Sequence, residues 1–126
     1  MKIAVSGKGG VGKTTLSATL SKLFADEGRK VIAIDADPDT NLASALGIKD
    51  ADKITPLVEL KELIKERTGS TSDEYGKFFK LNPTVNDLPE KYSVSCNGLR
   101  LMTLGTIKRG GSGCACPEGV MLKALL

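Results

Sequence analysis

The sequence predicts an α/β fold, a mostly parallel sheet flanked by helices, in one unit over residues 1–126, and three observations carry that prediction. Two short aliphatic runs, KIAVSG and KVIAIDAD, have the composition of buried strands. The segment between them, KTTLSATLSKLFADEG, places apolar residues at helical spacing. The strand, helix and strand together take fewer than 40 residues, which is a βαβ unit and therefore a parallel pair.

The elements follow in order. The first run ends in Gly7, so the chain can turn sharply there. In the helix after it, Leu16, Leu20, Leu23 and Phe24 mark one face, and Gly28 is placed to end it. The second strand is rich in Val and Ile and is closed by Asp37 and Pro38. TNLASALG is a short helix. TPLVELKELIKERTG is another, with Thr55 as N-cap, Pro56 in the first turn and Gly69 past the end. Leu57, Leu60 and Ile64 form its apolar stripe, and the charged remainder faces solvent. Residues 70–96 have no clear period, because polar residues, Pro83 and Pro89 interrupt it; an irregular excursion is expected. GLRLMTLGTI is a third strand, and PEGVMLKALL opens a helix with Pro117 and Glu118. No Gly, Asn or polar cap follows Leu126, and three strands make a thin sheet. The expectation is the front part of a longer protein.

Composition narrows the function classes. A net charge of +3, from 18 basic and 15 acidic residues, is too mild to argue for nucleic acid as a partner. Aromatic residues are 4% and Trp is absent, so the core must be aliphatic. MKIAVSG has no export-signal pattern and no apolar run reaches about 18 residues, so neither secretion nor a membrane is expected. Three cysteines cannot all pair within one chain, which fits free thiols in a reducing cytoplasm. Histidine is absent, so any proton transfer must use another group.

GKGGVGKTT, Gly7 to Thr15, matches the phosphate-loop pattern G-x-x-x-x-G-K-[ST] between a strand and a helix. Gly7, Gly9, Gly10 and Gly12, with Val11 among them, let the backbone curl so that its N–H groups converge on phosphate oxygens. The helix beginning near Lys13 adds its positive end. Lys13 would neutralise the β- and γ-phosphates of ATP or ADP, Thr14 would coordinate Mg²⁺, and Thr15 can reach the α-phosphate. Asp35 and Asp37 close the second strand, at the carboxyl end where ligands sit in open α/β sheets.

Lys8 is a second lysine inside the loop, not needed to cradle the phosphates. KGGVGKTT resembles the deviant phosphate-loop signature of the MinD/ParA/nitrogenase-iron-protein class of P-loop ATPases (SIMIBI-type). The resemblance implies that Lys8 reaches across a homodimer to the nucleotide of the other subunit. It implies that Asp37, before Pro38, orients the attacking water, and that Asp35 holds the Mg²⁺ hydration shell. ATPases of this class also carry a later strand ending in D-x-x-G or similar; nothing like it follows Asp37 here.

The second half resembles a narrower group. FFKLNPTVNDLPEKYSV and NGLRLMTLGTIKRGGSGCACPEGVMLKALL are similar to the CooC type, ATPases that assist nickel insertion into carbon monoxide dehydrogenase. Its most specific element is CAC, Cys114 and Cys116. In an extended segment these lie about 6.6 Å apart at Cα on one face. A disulfide across one residue would be strained, and two thiolates are half of a tetrahedral shell. A two-fold dimer would supply the other half, giving a shared Cys₄ site for Zn²⁺ or Ni²⁺. Pro117 starts a helix, whose positive end should ease ionisation of Cys116. Cys96 has no partner spacing and is expected to be structural. Three functions stay open at this point: a nickel-maturation ATPase with carbon monoxide dehydrogenase as client, an iron–sulfur carrier or reductase, and a partition or positioning switch without metal. CAC argues against the third.

Overall fold

A computed structural model of the protein describes residues 1–37, 39–69, 80–106 and 117–125. Over these residues the sheet has three strands, β1 Val31–Asp35, β2 Val94–Cys96 and β3 Leu99–Thr103, in the order β1-β3-β2. β1 and β3 run parallel, with Val31 opposite Leu99 and Asp35 opposite Thr103. β2 and β3 run antiparallel, with Val94 opposite Leu101 and Cys96 opposite Leu99. The described sheet is therefore mixed rather than mostly parallel. The antiparallel pair is a hairpin closed by Asn97 and Gly98, whose φ angles of 46° and 81° are both left-handed. That two-residue turn has the twist that flanking strands need.

β3 is the central strand, and Leu99, Leu101, Met102 and Thr103 are all buried, as for a strand covered on both faces. On one side Leu99 and Leu101 meet Ala18, Ala33, Leu42 and Leu46. The helices there are α1 (Lys13–Asp26) and α2 (Leu42–Leu46). On the other side Met102 and Leu104 meet Leu57, Ile64, Leu88 and Met121. The helices there are α3 (Lys61–Thr68), α4 (Leu88–Lys91) and α5 (Pro117–Leu125). Helices thus flank both faces of the sheet, which is the predicted α/β class.

Four local expectations need correction. The run KIAVSG joins no strand pair among the described residues, and Met1 and Ile3 are exposed. Aliphatic composition marks a segment that can be a strand; pairing also needs a partner strand in register, which composition does not specify. The face of α1 carrying Leu16 and Leu23 is exposed, and the helix buries Ala18 instead. β1 stops at Asp35, which leaves Asp37 in the following loop. Thr55 caps no helix. Residues Leu57–Glu59 form a 3₁₀ turn, and α3 starts at Lys61 with Leu60 at the cap position. The Val58 amide donates to the Leu104 carbonyl at 3.0 Å, and this bond holds the 3₁₀ turn against the end of β3. Gly69 ends α3 as expected.

The expected irregular excursion contains α4 and β2 in its second part; residues 70–79 lie outside the described residues. A charged clamp spans this gap in sequence. Asp87 Oδ2 accepts from Arg67 Nη2 and from Lys91 Nζ, both at 2.8 Å. Arg67 Nη1 also donates to the Thr84 carbonyl at 3.0 Å. The hydrogen bond from Lys91, then that from Arg67, holds the Asp87 carboxyl down at about 2.

Candidate functional site

The loop before α1 is shaped by its glycines. Gly10 and Gly12 have φ of 78° and 92°, left-handed values that turn the backbone back on itself. A Cβ on Gly7 would come within 2.9 Å of Val11 Cγ2, so a side chain would fill the turn. Gly12 occupies the N-cap position of α1, makes no side-chain cap bond, and has no acidic residue after it in the first turn. The first N–H groups of a helix have no intrahelical partner, and their dipole is positive. Here the cap residue supplies no side-chain acceptor, on a helix of 14 residues. This arrangement accepts an anion.

Lys13 is the first residue of α1. Its ammonium lies 3.6 Å from Asp37 Oδ2 and donates to the Lys8 carbonyl at 3.4 Å. The sequence elements at 7–15 and at 35–37 therefore meet, and Lys13 is the residue that joins them. Thr14 is half-buried and Thr15 exposed; the Thr15 carbonyl accepts from Thr19 Oγ1 at 2.8 Å.

Asp35 ends β1 and is 6% exposed. A carboxylate buried to that degree needs hydrogen-bond donors. Its Oδ1 accepts from the Asp37 amide at 3.2 Å and its Oδ2 from the Leu42 amide at 3.0 Å. Asp37 repeats the pattern, since its Oδ1 accepts from the Asp39 amide at 3.1 Å. The backbone of Asp35 is fixed as well, because its carbonyl accepts from the Leu104 amide at 2.8 Å. The sequence places both aspartates near the phosphate loop. It does not show that Asp35 bridges the ends of the loop it opens. The signal for that was present in DADPDTN, because an Asx side chain readily bonds the amide two residues on.

Chemically, these groups can hold a polyphosphate and place a carboxylate beside it. The curled glycine loop, the uncapped helix start and Lys13 all favour negative charge, and no carboxylate lies in the first turn to oppose it. Asp37, half-buried on the rim, can accept a proton or a water hydrogen.

Cys114 and Cys116 lie outside the described residues, so the structure does not place them. Cys96 is a free thiol, half-buried at the end of β2 and packed against the core. No group of three or more His, Cys, Asp or Glu that could hold a metal occurs among the described residues. No helix among them is long and apolar enough to cross a membrane.

The sequence matches the CobQ/CobB/MinD/ParA nucleotide binding domain over residues 2–113. It is 48% identical over 128 residues to the carbon monoxide dehydrogenase accessory protein CooC of Rhodospirillum rubrum, covering 100% of this chain and 48% of that protein. It is 47% identical over 126 residues to an uncharacterized ATP-binding protein of Methanocaldococcus jannaschii, again with 100% and 48% covered. A shorter match, 51% over 45 residues, is to the sporulation initiation inhibitor protein Soj of Bacillus subtilis, with 36% of this chain and 18% of Soj covered. The chain thus spans about half the length of the first two relatives.

Proposed function

Because the chain belongs to the CobQ/CobB/MinD/ParA nucleotide-binding family, we propose that its full polypeptide is an ATPase, and that it works as a homodimeric maturation factor for nickel insertion into carbon monoxide dehydrogenase. The observation that carries the ATPase part is the meeting of Lys13, at an uncapped helix start, with Asp37 beyond the end of β1. The similarity to CooC over the whole chain supports the client.

In this mechanism the amides of residues 7–15 hold the phosphates of ATP or ADP, and Lys13 neutralises them. Thr14 would hold Mg²⁺ and Asp35 its hydration shell, and the ion when bound would supply positive charge to the phosphates. Asp37 orients the attacking water and accepts its hydrogen bond. Lys8 reaches the nucleotide of the second subunit across the dimer. Asp35 fixes the loop that carries Asp37, so the carboxylate is presented by a braced backbone rather than a free one.

Cys114 and Cys116 of two subunits would together bind one thiophilic ion. Zinc prefers tetrahedral thiolates and nickel also accepts square-planar ones. A dimer interface that closes on ATP would rearrange the four sulfurs and change which ion is held. The test is metal content per chain in the full-length protein. We expect one ion per two chains, lost in Cys114→Ser and in Cys116→Ser and retained in Cys96→Ser. One ion per chain, or a normal content in Cys114→Ser, would overturn the shared site. Iron with visible absorption in anaerobic protein would assign it to a cluster carrier instead.

A further inference from the structure

Lys13 is held by two groups of the protein itself, the Asp37 carboxylate at 3.6 Å and the Lys8 carbonyl at 3.4 Å. A phosphate that reaches Lys13 must compete with the first of these, because the contact is charged. The second oxygen of Asp37 is engaged by the Asp39 amide, which fixes the orientation of the carboxylate. The whole loop is in turn tied at both ends to one buried group, since Asp35 accepts from the amides of Asp37 and Leu42. Among the described residues the Asp35 carboxylate is bonded to the Asp37 and Leu42 amides and not to Lys13. Its effect on Lys13 runs through Asp37.

We propose that Asp35 is a positioning residue which holds Asp37 against Lys13, so that Asp37 and an incoming phosphate compete for one ammonium group. Phosphate that takes Lys13 releases the Asp37 carboxylate, and the released oxygen becomes available to the water that attacks the terminal phosphorus. The same ion pair therefore slows nucleotide capture and withholds the water-orienting group until phosphate is bound. This rests on the nucleotide reading above and extends it to the order of events at the site.

The size of the effect follows from the exposure of the pair. The side chains are 25% and 39% exposed, and ion pairs in such positions are worth up to about fivefold in an equilibrium. A conformation that must open before ligand binds lowers the apparent affinity by the fraction that is open. The cost should fall on association, because the contact is broken before the phosphate is seated.

The experiment is stopped-flow binding of a fluorescent N-methylanthraniloyl ADP to the full-length protein without Mg²⁺, which removes any role of Asp35 toward the metal. Asp37→Asn should raise the association rate about two- to fivefold and leave dissociation unchanged. Asp35→Asn should raise it similarly, and the double variant should match the single ones. Asp39→Asn removes the same charge from the same loop but leaves Lys13 paired. It should have no effect, whereas general electrostatic steering would speed all three alike. Unchanged or slower association in Asp37→Asn, an equal gain in Asp39→Asn, or no gain in a folded Asp35→Asn overturns the proposal. If Asp35→Asn does not fold, the comparison of Asp37→Asn with Asp39→Asn decides. A parent protein that binds no ADP defeats the nucleotide reading itself. Binding in the parent, with no gain in the variants, defeats only the competition.

Discussion

Gly105 follows the central strand, and replacing it with alanine tests how tightly the end of that strand is packed against Pro56 and Val58. Its φ is +84°, and a Cβ there would stand 2.6 Å from Val58 Cγ2 and 2.8 Å from Pro56 Cβ. Two costs add. A left-handed conformation costs an L-residue about 1–2 kcal/mol. Forcing a methyl group into occupied space costs about 1–3 kcal/mol more. Pro56 is stiff, and Val58 is tethered by its bond to the Leu104 carbonyl, so neither neighbour yields easily. The sum is about 2–5 kcal/mol. Gly98 supplies the control. Its φ is +81°, but the nearest atom to a new Cβ is Ala25 Cβ at 4.0 Å. Gly98→Ala should therefore cost only the conformational part, about 1–2 kcal/mol. Urea unfolding of the full polypeptide, with both variants giving the parent slope, measures the difference directly. Equal destabilisation by the two substitutions would refute the crowding at the end of β3.

Two further outcomes come from the charged groups. The folded pKa of Asp87 is about 2 against an ordinary 3.8, so its folded form binds fewer protons than its unfolded form across that interval. Its clamp on Arg67 and Lys91 is fully present above the unfolded value and is lost as pH falls from about 4 through about 2. In Asp87→Asn this portion of the acid limb should vanish from the stability profile, and parent and variant should converge near pH 2; parallel profiles would contradict the assignment. At the site, Asp37→Asn should retain ATP binding while phosphate release falls by about two to four orders of magnitude, since an amide cannot accept the proton. Turnover at the parent rate would move the water-orienting role to another residue.

Local chemistry was the legible part of this protein. The phosphate loop follows from residue types at fixed spacing, and the structure gives it the left-handed Gly10 and Gly12 and the uncapped start of α1. The helices at Lys13–Asp26, Leu42–Leu46 and Pro117–Leu125 and the strand at Leu99–Thr103 also lie where their patterns put them. What failed depended on partners distant in sequence. KIAVSG has the composition of a strand but no described neighbour to pair with. The stripe Leu16 and Leu23 has helical spacing but no cover, while the small Ala18 makes the close approach to the sheet. Thr55 lost its capping role to a contact between Val58 and Leu104, residues far apart in the chain. β2 is different, because its signal was local. Asn-Gly between two short runs is a hairpin turn, and the prolines upstream obscured it. At the site, the positions of Asp35 and Asp37 could be read from the end of an aliphatic run. Of the bracing bonds of Asp35, the one from the Asp37 amide has a local signal in DADPDTN; the one from the Leu42 amide, seven residues on, has none.

Calorimetry of Mg-ATP binding to the full-length protein and to Lys13→Ala is the most direct test of the central claim, that residues 7–15 form a nucleotide phosphate site. Lys13 sits at the positive end of α1 and supplies the ammonium that the loop amides cannot replace. Hydrogen bonds to charged groups are worth about 1.5–3 kcal/mol, which is roughly 10- to 150-fold in affinity. The account predicts that the parent binds Mg-ATP and that Lys13→Ala, folded as judged by its unfolding curve, loses at least about tenfold. Equal affinity in parent and variant would contradict it.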